Sequence, residues 1–310
     1  MSTLDHFLQQ FFYWVIDTTI VCTVLVGLIL LIKTIIQDKL PPRWHYILWL
    51  TLVFRLMLPP LPEGLNKLHD FLPQIKHTST IAMTVPSHQE STYIISSVKS
   101  VFPEKNVSRQ KTELKSQAVS FVQISMYIWV IGILFFGILT VVENIRVLLY
   151  VKRQPHIADP IVEQIFEHCK KRMSINMRIP LVLSGKLTSP SVIGVTKPRI
   201  LLSKKQLERL TDNQLQFIFH HELAHIKRKD IIMNCLMNGL LILHWFNPIM
   251  WYAYWRMRQD QEIGCDALAL SYVGINQKVE YGQTIIKILD ESSGYYELSN
   301  LVNMAGENRL

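Results

Sequence analysis

Cysteine is scarce, with four in 310 residues, and Cys22, Cys169, Cys235 and Cys265 form no pair at zinc-ribbon or redox spacing. None falls in the long polar loop expected outside the cell, so no disulfide framework is expected. No basic residue precedes the first apolar run, and no small-residue cleavage site closes it, so the run reads as a retained anchor and not as a cleavable signal peptide. Nucleic-acid-binding motifs, internal repeats and low-complexity tracts are also missing. The formal net charge of +8 is therefore assigned to the cytoplasmic face of a membrane protein, where Lys and Arg collect, with no direct nucleic-acid binding expected.

What the chain does have is apolar surface. Hydrophobic residues make up 49% of it, and the mean hydropathy is positive. An apolar stretch from about Phe11 to Ile32 is long enough to cross a hydrocarbon core of about 30 Å, with Phe12, Tyr13 and Trp14 as its interfacial belt and Asp17 near that same end. A shorter stretch runs from Trp44 to Leu61, with Arg55 near its far end and Pro59, Pro60 and Pro62 to stop it. A third, Ser116 to Val142, carries no charge at all. Lys33, Lys39 and Arg43 lie between the first two stretches, and Arg146, Lys152 and Arg153 follow the third. The positive-inside rule then places the N-terminus outside and everything after Arg146 in the cytoplasm, although lysines in the outer loop (Lys67, Lys76, Lys99, Lys105) pull the other way. Beyond the spans, Pro160–Arg172 has helical spacing, Ile179–Leu183 is a short β-type run, and residues 189–194 and 198–202 read as two strands joined by a turn.

The chemistry concentrates in His221-Glu222-Leu223-Ala224-His225. Thr211 and Gln214 have the form of a capping box, and Leu215, Ile218 and Phe219 carry that helix into the motif. On a helix, His221 and His225 are one turn apart and share a face, so both imidazoles can reach one metal ion. Glu222 is turned by about 100° from His221, which suits a residue that polarises a metal-bound water instead of ligating. The bland alternative is an exposed helix with two unrelated histidines. Catalytic zinc takes three protein ligands and keeps a fourth position open. The chain is apolar from Ile231 to Trp245, and Asn247-Pro248 then starts a new helix, which makes a hairpin. Its return arm brings Glu262 within about two turns of the height of His225, with a loosened end to close the remainder. Glu262 is thus the expected third ligand. Asp260 is a competitor on another face, and Asp266, one turn beyond Glu262, is the expected acceptor for the second ring N–H of a ligating histidine. Asp230 reads equally as such an acceptor or as an interface charge. His220, His244, Tyr252, Tyr254, His168 and Cys169 carry no firm role; Tyr252 or Tyr254 could stabilise an oxyanion or simply sit in an aromatic belt.

The HELAH motif with Lys227-Arg228-Lys229-Asp230, then Trp245-Phe246-Asn247-Pro248, then Glu262-Ile263-Gly264-Cys265-Asp266 resembles the BlaR/MecR-like antirepressor membrane peptidases, which are gluzincins. The likeness runs from about Phe11 to Gln283, outer loop apart. It implies zinc held by His221, His225 and Glu262, Glu222 as general base, Asp266 as its supporting acceptor, and the strands of residues 190–202 as an edge for extended substrate. It also implies cleavage of a cytoplasmic DNA-binding repressor, or of the chain itself, after an outside signal. The β-lactam-sensing members continue into a further span and an extracellular penicillin-binding domain, whereas this sequence stops at Leu310.

The expected architecture is a mainly α membrane protein, a transmembrane helix bundle with a small cytoplasmic α+β zinc-peptidase domain of gluzincin type. Residues 1–61 hold two spans, 62–115 an extracellular loop, 116–145 the third span, 146–295 the peptidase domain with its apolar hairpin at 231–255, and 296–310 a C-terminal segment. The expected partners are the lipid bilayer, a protein or peptide substrate, and a second copy of the chain. A signal-transducing zinc metalloendopeptidase, a housekeeping membrane protease and a non-catalytic transducer with structural zinc all remain open.

Overall fold

The computed structural model describes residues 3–36, 42–58, 105–186 and 189–293. The expectations for Pro59, Pro60 and Pro62, for the outer loop up to residue 104 and for the segment 296–310 lie outside the described residues. The chain is mostly helical with one small sheet. In order it runs α1 (Thr3–Ile36), α2 (Pro42–Met57), α3 (Lys105–Lys152), α4 (Pro160–Arg172), β1 (Leu181–Ser184), β2 (Ser191–Ile193), β3 (Arg199–Ser203), α5 (Lys204–Arg209), α6 (Asp212–Arg228), α7 (Asp230–Leu243), α8 (Pro248–Val273) and α9 (Lys278–Ser293).

Contacts divide the chain into two compact units, residues 1–14 with 58–129, and residues 15–57 with 130–310. In the first, Phe11 and Phe12 pack their rings against Trp129 at 5.8 and 5.5 Å. The second holds α2, the sheet and α4 to α9.

Two described helices are long and apolar enough to cross a membrane, Asp5–Ile36 and Phe121–Lys152. The sequence reading expects three spans. The second of these forms a helix of only 16 residues, about 24 Å at 1.5 Å per residue, because α2 ends at Met57. The third runs on as helix to Lys152, past the expected limit at residue 145. Arg146 pairs with Glu143 on its exposed side, while Val147, Tyr150 and Val151 pack on Val182 and Leu201 of the sheet. The charges that mark the end of an apolar run thus do not interrupt the helix. Elsewhere α1 and α3 leave apolar side chains bare, with Val24 and Ile131 about two-thirds exposed (69% and 65%). In water such continuous apolar faces would be costly.

Two cores position the site. The first joins Cys22, Val26 and Ile29 of α1 to Trp49, Leu52 and Leu56 of α2, Met237 and Leu241 of α7, and Met250, Ala253 and Met257 of α8. The second buries Phe166 and Cys169 of α4, Ile200 and Leu202 of β3, Ile218, Phe219 and Leu223 of α6, and Cys265 of α8. The sheet order is β1-β3-β2, with β1 parallel and β2 antiparallel to β3. Among the described residues β2 therefore pairs only with β3. Gly194 just after it has φ +106°, and a Cβ there would come within 2.6 Å of the Lys197 carbonyl, so the tight turn into β3 requires glycine.

Candidate metal centre

Helix α6 begins as its sequence predicts. The Thr211 hydroxyl accepts from the Gln214 backbone N–H, and the Gln214 side chain accepts from the Thr211 N–H. Its end carries no familiar signal. Lys229 takes a left-handed conformation (φ 62°) and serves at once as the C-cap of α6 and the N-cap of α7. A non-glycine residue there costs about 1–2 kcal/mol. The sharp reversal lets Asp230, fully buried, turn back beneath His225.

From Asp230, α7 climbs 14 residues, about 21 Å, and α8 descends by the same rise between Pro248 and Glu262. The two arms therefore match, and Glu262 returns to the level of the histidines on an intact helix that continues to Val273. No loosened end is needed. The expected shortfall of about two turns disappears because the chain breaks at Lys229 and starts α7 afresh at Asp230.

His221 Nε2 and His225 Nε2 face each other at 3.3 Å, and Glu262 Oε2 lies 3.4 and 3.7 Å from them. These three donors form a compact triangle of the kind that can hold a metal ion. Ligand atoms about 2.0–2.1 Å from a tetrahedral zinc stand about 3.3–3.4 Å apart, so the triangle fits such an ion closely. Both ring Nδ1 atoms are engaged elsewhere, which turns both Nε2 atoms inward. His221 Nδ1 donates to Asp266 Oδ1 (2.9 Å), an oxygen that also accepts from the Tyr281 hydroxyl (2.7 Å). His225 Nδ1 donates to Asp230 Oδ2 (3.1 Å), which also accepts from the Cys265 thiol (3.1 Å) and from Arg228 Nε (3.3 Å). Each imidazole is thus oriented by its own carboxylate.

His225, Asp230 and Cys265 make a second trio of donors on the far side of the His225 ring. Arg228 already supplies a cation to that carboxylate. Burial first, and the Asp230 charge next, hold the Cys265 thiol well above its ordinary value, so it remains a neutral hydrogen-bond donor. That trio fits a supporting role and not a second metal. Gly264 completes the arrangement. A Cβ there would sit 2.5–2.7 Å from the Arg228 guanidinium, so glycine is what lets the arginine cross α8. Gly264→Ala should push Arg228 off Asp230 while the fold persists. The expected result is about a tenfold weaker zinc affinity, in the range of lost outer-layer partners, read by competition with a chromophoric chelator.

Burial alone would lower the His221 pKa. Hydrogen bonds to Asp266 and Glu262, with the charges of Glu222 and Glu262, outweigh it and push it up to about 10 in the metal-free chain. A raised folded-state value stabilises the metal-free fold fully below the unfolded value of about 6.5 and loses that contribution as pH rises through about 10. Metal binding requires the neutral ring, so the two effects oppose each other. Zinc uptake at pH 7.5 should release about one proton from this ring, and apparent affinity should rise about tenfold per pH unit up to about pH 10. Calorimetry in buffers of different ionisation enthalpy reads the proton count.

A cavity of about 580 Å³ opens over the triangle. Its walls include Glu222, β2 with its following turn, the end of α3, and the face of α7 that carries Asn234 and Asn238. Tyr254 lines it too, whereas Tyr252 is exposed and packs against Trp255. His220 is buried and donates to the Gln216 carbonyl (2.7 Å). His244 is buried at the hairpin tip, bonded to the Leu240 carbonyl (3.0 Å). Asp260 points away from the triangle and is engaged by Lys33 and Trp49. Cys169 is buried in the core, its thiol 3.9 Å from the Gln216 carbonyl. The sequence reading has no place for Tyr281, Arg228 or the Cys265 contact. Only the Cys265-Asp266 pairing in the Glu262 motif hints at the last.

Comparison with known proteins finds similar chains. The family profile described as "BlaR1 peptidase M56" matches residues 13–309. "Regulatory protein BlaR1" of Bacillus licheniformis is 23% identical over 281 residues, which is 90% of this chain and 46% of that protein. "Methicillin resistance mecR1 protein" of Staphylococcus aureus is 30% identical over 120 residues, 38% of this chain and 20% of that protein. The chain thus spans less than half the length of these relatives.

Proposed function

The chain belongs to the BlaR1 peptidase M56 family, and on that footing we propose that it is an integral-membrane zinc endopeptidase that answers an outside signal by cutting a cytoplasmic repressor, itself, or both. The observation that carries the reading is the triangle of His221, His225 and Glu262 donors, with Glu222 beside it on the cavity wall. His221, His225 and Glu262 would hold the metal. When bound, zinc would supply Lewis-acid chemistry, making a water more acidic and polarising the scissile carbonyl.

The remaining work falls to the chain's own side chains. Glu222 accepts the proton of the attacking water and passes it to the amine nitrogen that leaves. Asp266 with Tyr281, and Asp230 with Arg228 and Cys265, keep the two rings in the tautomer that points Nε2 inward. Strand β2 lines the cavity and among the described residues pairs only with β3, so an extended segment of substrate can add as a further strand and lie with one peptide bond over the triangle. The exposed apolar faces of α1 and α3 support burial in lipid, and Lys33, Lys39, Arg43, Arg146, Lys152 and Arg153 support a cytoplasmic site. A helix α3 that crosses the bilayer and ends on the sheet beside the cavity gives an outside event a route to the cleft. The experiment that tests the reading sets wild type beside a Glu222→Gln variant in membranes containing a co-expressed winged-helix repressor. Both the repressor and the chain itself are followed for fragments.

A further inference from the structure

Asp260 has no part in the metal triangle, yet it is buried and held at both carboxylate oxygens. Its two carboxylate oxygens accept from Lys33 Nζ at 2.7 and 2.5 Å, and Trp49 Nε1 donates to Oδ2 at 2.5 Å. The lysine and aspartate side chains are 8% and 7% exposed, and the ammonium also stands 5.7 Å from the Trp49 ring centre. Lys33 comes from the last turn of α1, Trp49 from α2 and Asp260 from α8. The first two helices and the far later α8 therefore converge on one buried charge.

The position of that charge along α8 matters. Asp260 and Glu262 are two residues apart, about 200° around the helix and about 3 Å along it. Asp260 faces α1 and α2 while Glu262 faces the two histidines. Helix α8 is thus gripped on one side by the first two helices and presents the third metal donor on the other. A helix moves as a stiff rod over two residues, so whatever displaces Lys33 displaces the Glu262 backbone with it. A shift of a few tenths of an ångström changes the donor triangle.

We propose that Lys33, Trp49 and Asp260 form a positioning clamp that sets the place of Glu262, so that a rotation or axial shift of α1 or α2 tunes metal affinity and the rate of cleavage. The proposal rests on the zinc-peptidase reading and deepens it, since it names the contact through which the membrane helices act on the site. None of the three residues lines the cavity, so the clamp acts on the metal triangle and not on substrate binding.

The test measures zinc dissociation constants by chelator competition on purified wild type, Lys33→Met and Lys33→Met/Asp260→Asn, with near-ultraviolet circular dichroism to select folded protein. Lys33→Met leaves a buried carboxylate without its cation and should weaken zinc binding about 10–100-fold, the range found for outer-layer partners of metal sites. Adding Asp260→Asn removes the orphaned charge and keeps an acceptor for Trp49, so affinity should recover at least tenfold, as coupled neighbours do. On a cleavable substrate, kcat should fall with KM unchanged. Folded Lys33→Met protein with wild-type zinc affinity overturns the clamp, as does a double variant no better than the single one. Failure of wild type itself to bind zinc would instead sink the peptidase reading, so the two failures are distinguishable. Should Lys33→Met not fold, Lys33→Arg decides: it keeps the charge with a wider head group, and wild-type affinity together with unchanged kcat would overturn the proposal.

Discussion

Replacing Glu222 by glutamine should lower the cleavage rate about a thousandfold and leave zinc content unchanged. Glutamine has nearly the same shape and helix propensity, so α6 and its histidines stay in place. It cannot accept a proton, and general acid–base catalysis contributes about 10²–10⁴-fold. Glu222 does both halves of the proton transfer in the proposed cycle, which places the loss within that range. The measurement is the rate at which repressor fragments, or fragments of the chain, appear at equal protein and zinc. Unchanged processing would remove the peptidase reading and leave a transducer with structural metal. Loss of zinc together with activity would mean that Glu222 supports the site and does not act on water.

Glu262→Ala should weaken zinc binding by more than about 100-fold, since loss of an outer-layer partner alone costs about 10–100-fold. The two Nε2 atoms would remain 3.3 Å apart, but two neutral nitrogens offer neither the third donor nor the negative charge of the carboxylate. The side chain of Glu262 is 40% exposed, so its removal opens no cavity in the core. The variant should therefore melt close to metal-free wild type, which separates a ligand from a fold-holding residue. Metal analysis after dialysis against a weak chelator reads the difference. Equal zinc occupancy in wild type and variant would place the third ligand elsewhere, and Asp260 is a poor substitute while Lys33 and Trp49 hold it.

The clamp ties the Glu262 result to that at Lys33. If Glu262 is delivered by a helix that α1 and α2 grip from behind, partial loss of zinc should follow from changes on either side of α8. The variants at Lys33 and at Glu262 should then differ in degree and not in kind. The Gly264 and His221 measurements read the other half of the same network, where Arg228, Asp230 and Asp266 set the rings.

Much of this was legible along the chain because it rests on short-range physics. Helix α4 runs from Pro160 to Arg172 as its spacing predicts, since Asp159 caps it and Pro160 suits the first position. The capping box at Thr211 and the Asn247-Pro248 start of α8 are equally local. The one-turn spacing of His221 and His225 puts both rings on one face by helix geometry alone. Asp266 was expected beside a histidine for the same reason, one turn beyond Glu262.

What the tertiary structure decided depends on contacts that no local pattern records. Lys229 adopts a conformation that glycine normally signals, so neither the break between α6 and α7 nor the return of Asp230 to His225 was visible. Tyr281 reaches Asp266 from another helix, and Gly264 matters only because Arg228 crosses there. Lys33 and Asp260 are 227 residues apart. Capping, periodicity and turn chemistry act over a few residues and can be read in order, whereas a buried charge chooses its partner only once packing has removed water from both.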